Sequence, residues 1–179
     1  MKIAKILLCI LLILCSGVAI AESLKEINFN GGEIKFKIPS SWKEAYGKNG
    51  EGAFYEDAPD TGTLRVSVLT AEAPPGAKGN VLVLALSSIP GIDKKNIKML
   101  SNGNALANAP QSTEEEGGKK YTLYWWYLAN HAPPDYVRIA IFSYAILTSK
   151  ENNKKTKEEI GLLEWQIKNA VFSPELEEK

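Results

Sequence analysis

The chain of 179 residues carries 21 basic and 21 acidic side chains with a single histidine, a balance that leaves no electrostatic footprint for nucleic acid or for an anionic lipid surface. Both cysteines, Cys9 and Cys15, fall near the start, so the rest of the chain is excluded from disulfide scaffolds, thiol nucleophiles and Cys-based metal sites.

The opening MKIAKILLCILLILCSGVAIAES has Lys2 and Lys5, an apolar run, and small residues ending in Ala19-Ile20-Ala21. That is the layout of a secretory leader, with a cut expected after Ala21. An uncleaved membrane anchor is the alternative, but the apolar run is broken by Ser16-Gly17 and is shorter than the roughly 20 residues a span requires. Lipidation at Cys15 is a third reading, and Leu14 stands where such signals carry a small residue. The expected organisation is therefore a leader over 1–21, one domain over 22–172 and an acidic tail over 173–179. Losing Lys2 and Lys5 with the leader gives the exported chain a formal charge of −2. A chain of about 150 residues can bury some 70% of its unfolded surface without staples.

Within the domain, Ile34, Phe36 and Ile38 alternate with Glu33, Lys35 and Lys37, the period of a strand with one wet face. Asn30-Gly31-Gly32 before it predicts a hairpin with the strand around Ile27 and Phe29. Pro39 ends the second strand and Ser40-Ser41-Trp42 turns the chain. AFYED predicts a short strand and TLRVSVLTAEA a longer one, with Val66, Val68 and Thr70 on one face and Arg65, Ser67 and Leu69 on the other; Pro74-Pro75-Gly76 closes the pair. NVLVLALSSIPG fits a helix over 80–89, with Asn80 as cap and Pro90-Gly91 as stop. ALANAPQSTEEE, KKYTLYWWYLAN and DYVRIAIFSYAILTS predict a meander of long strands, turning at Gly117-Gly118 and at Ala132-Pro133-Pro134. Thr156 followed by Glu159 is a capping-box pattern, and Ile160, Leu163, Ile167 and Val171 keep helical spacing to about Phe172. The fold class is α+β: one domain with a central antiparallel sheet flanked by helices.

Phe36, Ile38, Pro39 and Trp42, then Phe54-Tyr55-Glu56-Asp57 and Leu64-Arg65-Val66-Ser67-Val68, together with this element order, resemble the PsbP-like α/β/α sandwich and its DcrB-like periplasmic relatives. The resemblance spans most of 27–172. It implies a scaffold and a non-enzymatic binding role, and it carries over no catalytic or ligand residue.

Chemistry is sparse. His131 is the only side chain whose ordinary pKa suits acid–base work near neutrality, and a triad would need Asp135 with Ser143 or Tyr136. No nucleophile-elbow motif accompanies it. Glu56-Asp57-Ala58-Pro59-Asp60 and Glu114-Glu115-Glu116 lack the spacing of a calcium loop, and no metal or cofactor is expected. The glycines of GKNGEG and EEEGGKK lack the pattern of a phosphate cradle and are taken as turns.

The most informative stretch is YTLYWWYLANH. On the strand over 121–128, Tyr121, Leu123, Trp125 and Tyr127 alternate with Thr122, Tyr124, Trp126 and Leu128, so both faces are apolar enough to be covered. If helices cover only one face, the other is an aromatic platform of Tyr124 and Trp126 beside Tyr136, Arg138, Phe142 and Tyr144, or else the set of opposite parity. Aromatic and Arg side chains are enriched at protein contacts. The expectation is an exported, non-enzymatic adaptor touching another protein of the cell envelope through that face. The alternatives are a carrier with an apolar cleft under the 80–89 helix and, last, a His131-dependent hydrolase.

Overall fold

The structure, a computed structural model, describes residues 23–73, 80–132 and 135–174. The expected leader and its cut after Ala21, the Pro74-Pro75-Gly76 turn, Pro133-Pro134 and the end of the acidic tail lie outside the described residues.

Chain alternation is realised first in β1 (Leu24–Phe29) and β2 (Ile34–Pro39), which pair antiparallel with Ile27 opposite Phe36 and Phe29 opposite Ile34. Asn30, Gly31 and Gly32 link them at φ of 51°, 73° and 100°, backbone that Gly adopts without a Cβ penalty and that Asn tolerates better than most side chains. The chain then turns at buried Trp42 into β3 (Lys43–Tyr46), β4 (Gly52–Tyr55) and β5 (Thr63–Glu72). Helix α1 (Val81–Ser87) follows, then β6 (Lys98–Met99), β7 (Ala105–Glu116), β8 (Lys119–Ala132) and β9 (Tyr136–Leu147). Helix α2 (Lys154–Lys168) and β10 (Val171–Phe172) complete the order.

Among the described residues the strands form two sheets. A large one runs β3-β4-β5-β9-β8-β7-β6, and a small one runs β1-β2-β10. All pairings are antiparallel. The small sheet and α2 together cover one face of the large sheet. Their inward side chains Ile27, Phe29, Ile34, Phe36, Ile38, Leu163 and Ile167 meet Phe54, Leu64, Val66, Trp126, Phe142 and Tyr144 in the main core. Phe36 packs edge-on against both Phe54 and Phe142, with ring centroids 5.5 and 5.4 Å apart. Each such buried aromatic contributes roughly 1.5–3 kcal/mol relative to exposure.

On the other face lies a smaller core. Leu82 and Leu86 of α1 are seated on Ala105, Ala107, Ala129 and Val137, and Asn80 caps the helix by accepting from the N–H groups of Leu82 and Val83. The large sheet is thus covered over its centre on one side and at one end on the other.

Four sequence expectations change. Helix α2 begins at Lys154 with Asn153 in the cap position, three residues ahead of the Thr156 cap inferred from sequence, and Thr156 is buried in the first turn. The same helix stops at Lys168, so Val171 and Phe172 are a strand paired with β2 instead of its last turn. The hairpin β1–β2 belongs to its own sheet, and β3 is a strand that the polar stretch KEAY does not announce.

Candidate functional site

The β8–β9 ladder is unbroken from Tyr121 opposite Leu147 to Ala132 opposite Tyr136, so the parity of the aromatic stretch holds along its whole length. The irregularity in this part of the sheet falls on β7 between Ala109 and Ser112, around Pro110, which has no N–H to give a ladder. Trp126 therefore shares a side with Phe142 and Tyr144, and this is the side that the small sheet and α2 cover.

That placement corrects the expected platform. Trp126 is 3% exposed, and Phe142, Tyr144 and Arg138 are equally interior. Tyr144 stacks on Trp42 at 6.4 Å and donates its hydroxyl to Glu159; burial pushes that phenol's pKa up, with the Glu159 contact acting in the same direction. Arg138, read from the sequence as the platform's positive charge, lies inside: Nη2 donates to Asn130 Oδ1 at 2.6 Å, and Cζ lies 5.1 Å from the Phe172 ring centroid. Burial lowers its pKa, opposed by the charge of Glu33. Tyr124 stacks on Trp126 and is half-buried at a cleft of about 300 Å³ beside Glu151 and Ile160. Tyr136 is half-buried at the start of β9.

The opposite parity meets solvent. Trp125 and Tyr127 stack at 6.4 Å with 16° between their planes, Tyr127 half-buried against the α1 cluster and Trp125 next along the strand beyond it. Trp125 Nε1 donates to Ser112 Oγ at 3.1 Å, which fixes the indole over the sheet. Register sets Ser143 beside Trp125 and Arg65 beside Ser143, while Ile141 joins Tyr127 to Ser67. Leu69, next along β5, is 56% exposed, an apolar side chain on what would otherwise be the polar side of that strand. Between these rows lies a groove of about 200 Å³ with Leu123, Ile141 and the hydroxyls of Ser67 and Ser143 at its base. Trp125, Arg65, Glu51 and Glu114 wall it. Arg65, Ser67 and Leu69 were legible as one face of a strand. Their meeting with Trp125 and Glu114 was not, because it depends on strand order.

The groups of the catalytic alternative do not converge. His131 lies at the ladder level of Val137 and Trp125 at that of Ser143, so His131 and Ser143 are six positions, or about 20 Å, apart along the strands. Tyr136 has the opposite parity to His131's ladder partner Val137 and so points to the other face. The acidic runs have basic neighbours: Glu115 and Glu116 stand opposite Lys120 and Lys119, Asp57 is paired with Lys43, and Glu56 with Lys155. Among the described residues no group of three or more His, Cys, Asp or Glu could hold a metal ion. The helix expected to roof an apolar cleft fills that space with Leu82 and Leu86. Among the described residues no helix is long and apolar enough to cross a membrane.

No protein-family model and no curated protein matches the chain. It is similar to a crystal structure from Bacteroides thetaiotaomicron VPI-5482, with 19% identity and a TM-score of 0.56 over 83% of this chain. The match takes in 48% of that protein, so the chain spans about half its length. It is similar also to LpqN, described as involved in cell envelope biogenesis of Mycobacterium tuberculosis, at 15% identity and a TM-score of 0.49, covering 85% of this chain and 91% of that one. Cyanobacterial PsbP from Synechocystis sp. PCC 6803 matches at 12% identity and a TM-score of 0.38, over 89% and 97% of the two chains. At 19% identity the first of these likenesses is one of fold alone.

Proposed function

We propose that this protein is an exported, non-enzymatic binding domain that contacts another protein of the cell envelope through the open half of its large sheet. The observation that supports this most is the stacked Trp125–Tyr127 pair on the solvent side of β8, continuous with Ile141 and the exposed Leu69 and rimmed by Arg65, Glu51 and Glu114. Trp, Tyr and Arg carry most of the energy at protein contacts because they combine large area with a polar handle. An apolar strip ringed by charge also matches the anatomy of an interface, with a dry centre and a wet rim. The contact residues of this reading are Trp125, Tyr127, Leu69, Ile141 and Arg65. They replace Trp126, Arg138, Phe142 and Tyr144, which are held in the interior.

The test is in-cell crosslinking of the exported protein, tagged and followed by mass spectrometry, on the parent and on Trp125→Ala. The expected result is a discrete envelope partner that is lost from Trp125→Ala while that variant stays folded, with an unfolding free energy within about 1 kcal/mol of the parent. Capture of the same partner at parental yield by Trp125→Ala would count against the open face, and capture of no discrete partner by the parent would count against the binding role.

A further inference from the structure

A second surface faces the other way. Between β2, the short strand β10 and the C-terminal end of α2 runs a groove of about 360 Å³. We propose that it takes an extended peptide of a partner protein, one that pairs with the open edge of β2 and carries an apolar side chain next to an acidic one.

Three observations specify that occupant. The first is a strand edge. Ser173 donates its N–H to the carbonyl of Glu33, and Val171 stands opposite Lys35, where β10 begins. Backbone direction alternates along an antiparallel strand, so Lys37, two residues beyond Lys35, turns its N–H and C=O to the same side, past the start of β10. An unpaired strand edge is a template for another strand. The second is a polar group in need of an acceptor. Gln166 lines the groove at 4% exposure, and its Nε2 has no hydrogen-bond partner. A buried amide donor is costly unless bonded; Nε2 is itself covered, so a peptide carbonyl becomes its acceptor once the Gln166 side chain turns into the groove. The third is the character of the walls. Trp165 and Val171 are 58% and 60% exposed, large apolar side chains flanking one groove, while Lys35 and Lys37 outweigh Glu26 around it. An apolar side chain seats on the first pair and a carboxylate faces the lysines. The groove belongs to the layer that covers the core side of the large sheet, so it opens away from Trp125 and is independent of the contact proposed there.

Peptides selected from a randomised displayed library against the processed protein provide the probe. The consensus peptide is then titrated by fluorescence anisotropy and followed through the side-chain amide resonance of Gln166. The expected consensus alternates apolar and acidic residues. Trp165→Ala should weaken it by about tenfold or more, as an exposed aromatic anchor does. Gln166→Met keeps the shape of the side chain and removes the N–H. It should weaken binding about fivefold without lowering the melting temperature, since the donor has no partner in the free protein. Trp125→Ala should bind as the parent does. If Gln166→Met does not fold, Trp165→Ala decides alone. The proposal is overturned by selection of no consensus or by unchanged affinity in Trp165→Ala and Gln166→Met. Loss of binding in Trp125→Ala, or a dimer that Trp165→Ala abolishes, also overturns it, the last result assigning the groove to a second copy of the chain.

Discussion

Trp125 and Trp126 are neighbours on β8 that differ in the side of the sheet they occupy, and that difference decides their work. Trp126 is held between Tyr124, with which it stacks, and the core built around Phe142, whereas Trp125 stands over the groove with its Nε1 bonded to Ser112. Truncating a fully packed aromatic removes its transfer energy and leaves a cavity, so Trp126→Ala should cost about 3–5 kcal/mol. Trp125→Ala removes a partly solvated ring and should cost about 1 kcal/mol or less. Urea unfolding of the two variants checks this, and near-equal losses would contradict the assigned parity. The alternation itself was plain in YTLYWWYL. Which side met water was not, because it is set by segments distant in sequence: residues 24–39 and 154–172 build the layer over Trp126. Arg138 misled for a related reason. A lone charge on an aromatic face suggests solvent, but its guanidinium is held by Asn130 and the face of Phe172, which arrives from the far end of the chain.

The elements most legible in sequence are those whose ends carry their own chemistry. Helix α1 has seven residues, too few to persist alone in water, yet its start is fixed by Asn80 Oδ1 accepting from Leu82 and Val83 at 3.0 and 3.3 Å. Asn80→Ala should lower stability by about 1 kcal/mol. The loss should show as faster hydrogen exchange in α1 than in β8, whereas uniform acceleration would argue that the cap has no local role. Strand β10 was hidden because Val171 also continues the helical spacing of Ile160, Leu163 and Ile167. Pairing with β2 outweighs that spacing, since it buries Phe172 and satisfies the carbonyl of Glu33. The capping-box residue Thr156 is likewise drawn inward as a buried side chain, and the helix starts one turn earlier at Lys154. Local pattern held where the surroundings were solvent, and tertiary contacts overrode it where the helix met the small sheet.

At the scale of the molecule, the arrangement rests on two sheets meeting around one core, and their edges are joined by a charged clamp. Lys25 of β1 reaches across to β3, donating to the carbonyl of Trp42 at 2.6 Å and pairing with Glu44 at 2.8 Å. The Lys25 contact, followed by a hydrogen bond from Tyr46, holds the Glu44 carboxyl below its ordinary value of 4.5. A carboxylate with a depressed pKa in the folded state gives stability that is present above the unfolded value and lost as pH falls through the folded one. The clamp should therefore contribute fully at pH 7 and fade below about 4.5. Because the pair is partly solvated, its contribution at neutral pH should be only about 0.2–1 kcal/mol. Glu44→Gln removes the titration while keeping the shape, so its unfolding free energy should fall less steeply between pH 5 and 3 than that of the parent, and the two curves should converge at the acid end. Urea unfolding across that interval measures both. Parallel curves would mean that the sheets are held by the core alone, with Lys25 and Glu44 mere surface neighbours. Convergence would identify the clamp as the acid-sensitive joint between the layer that carries the peptide groove and the sheet that carries Trp125.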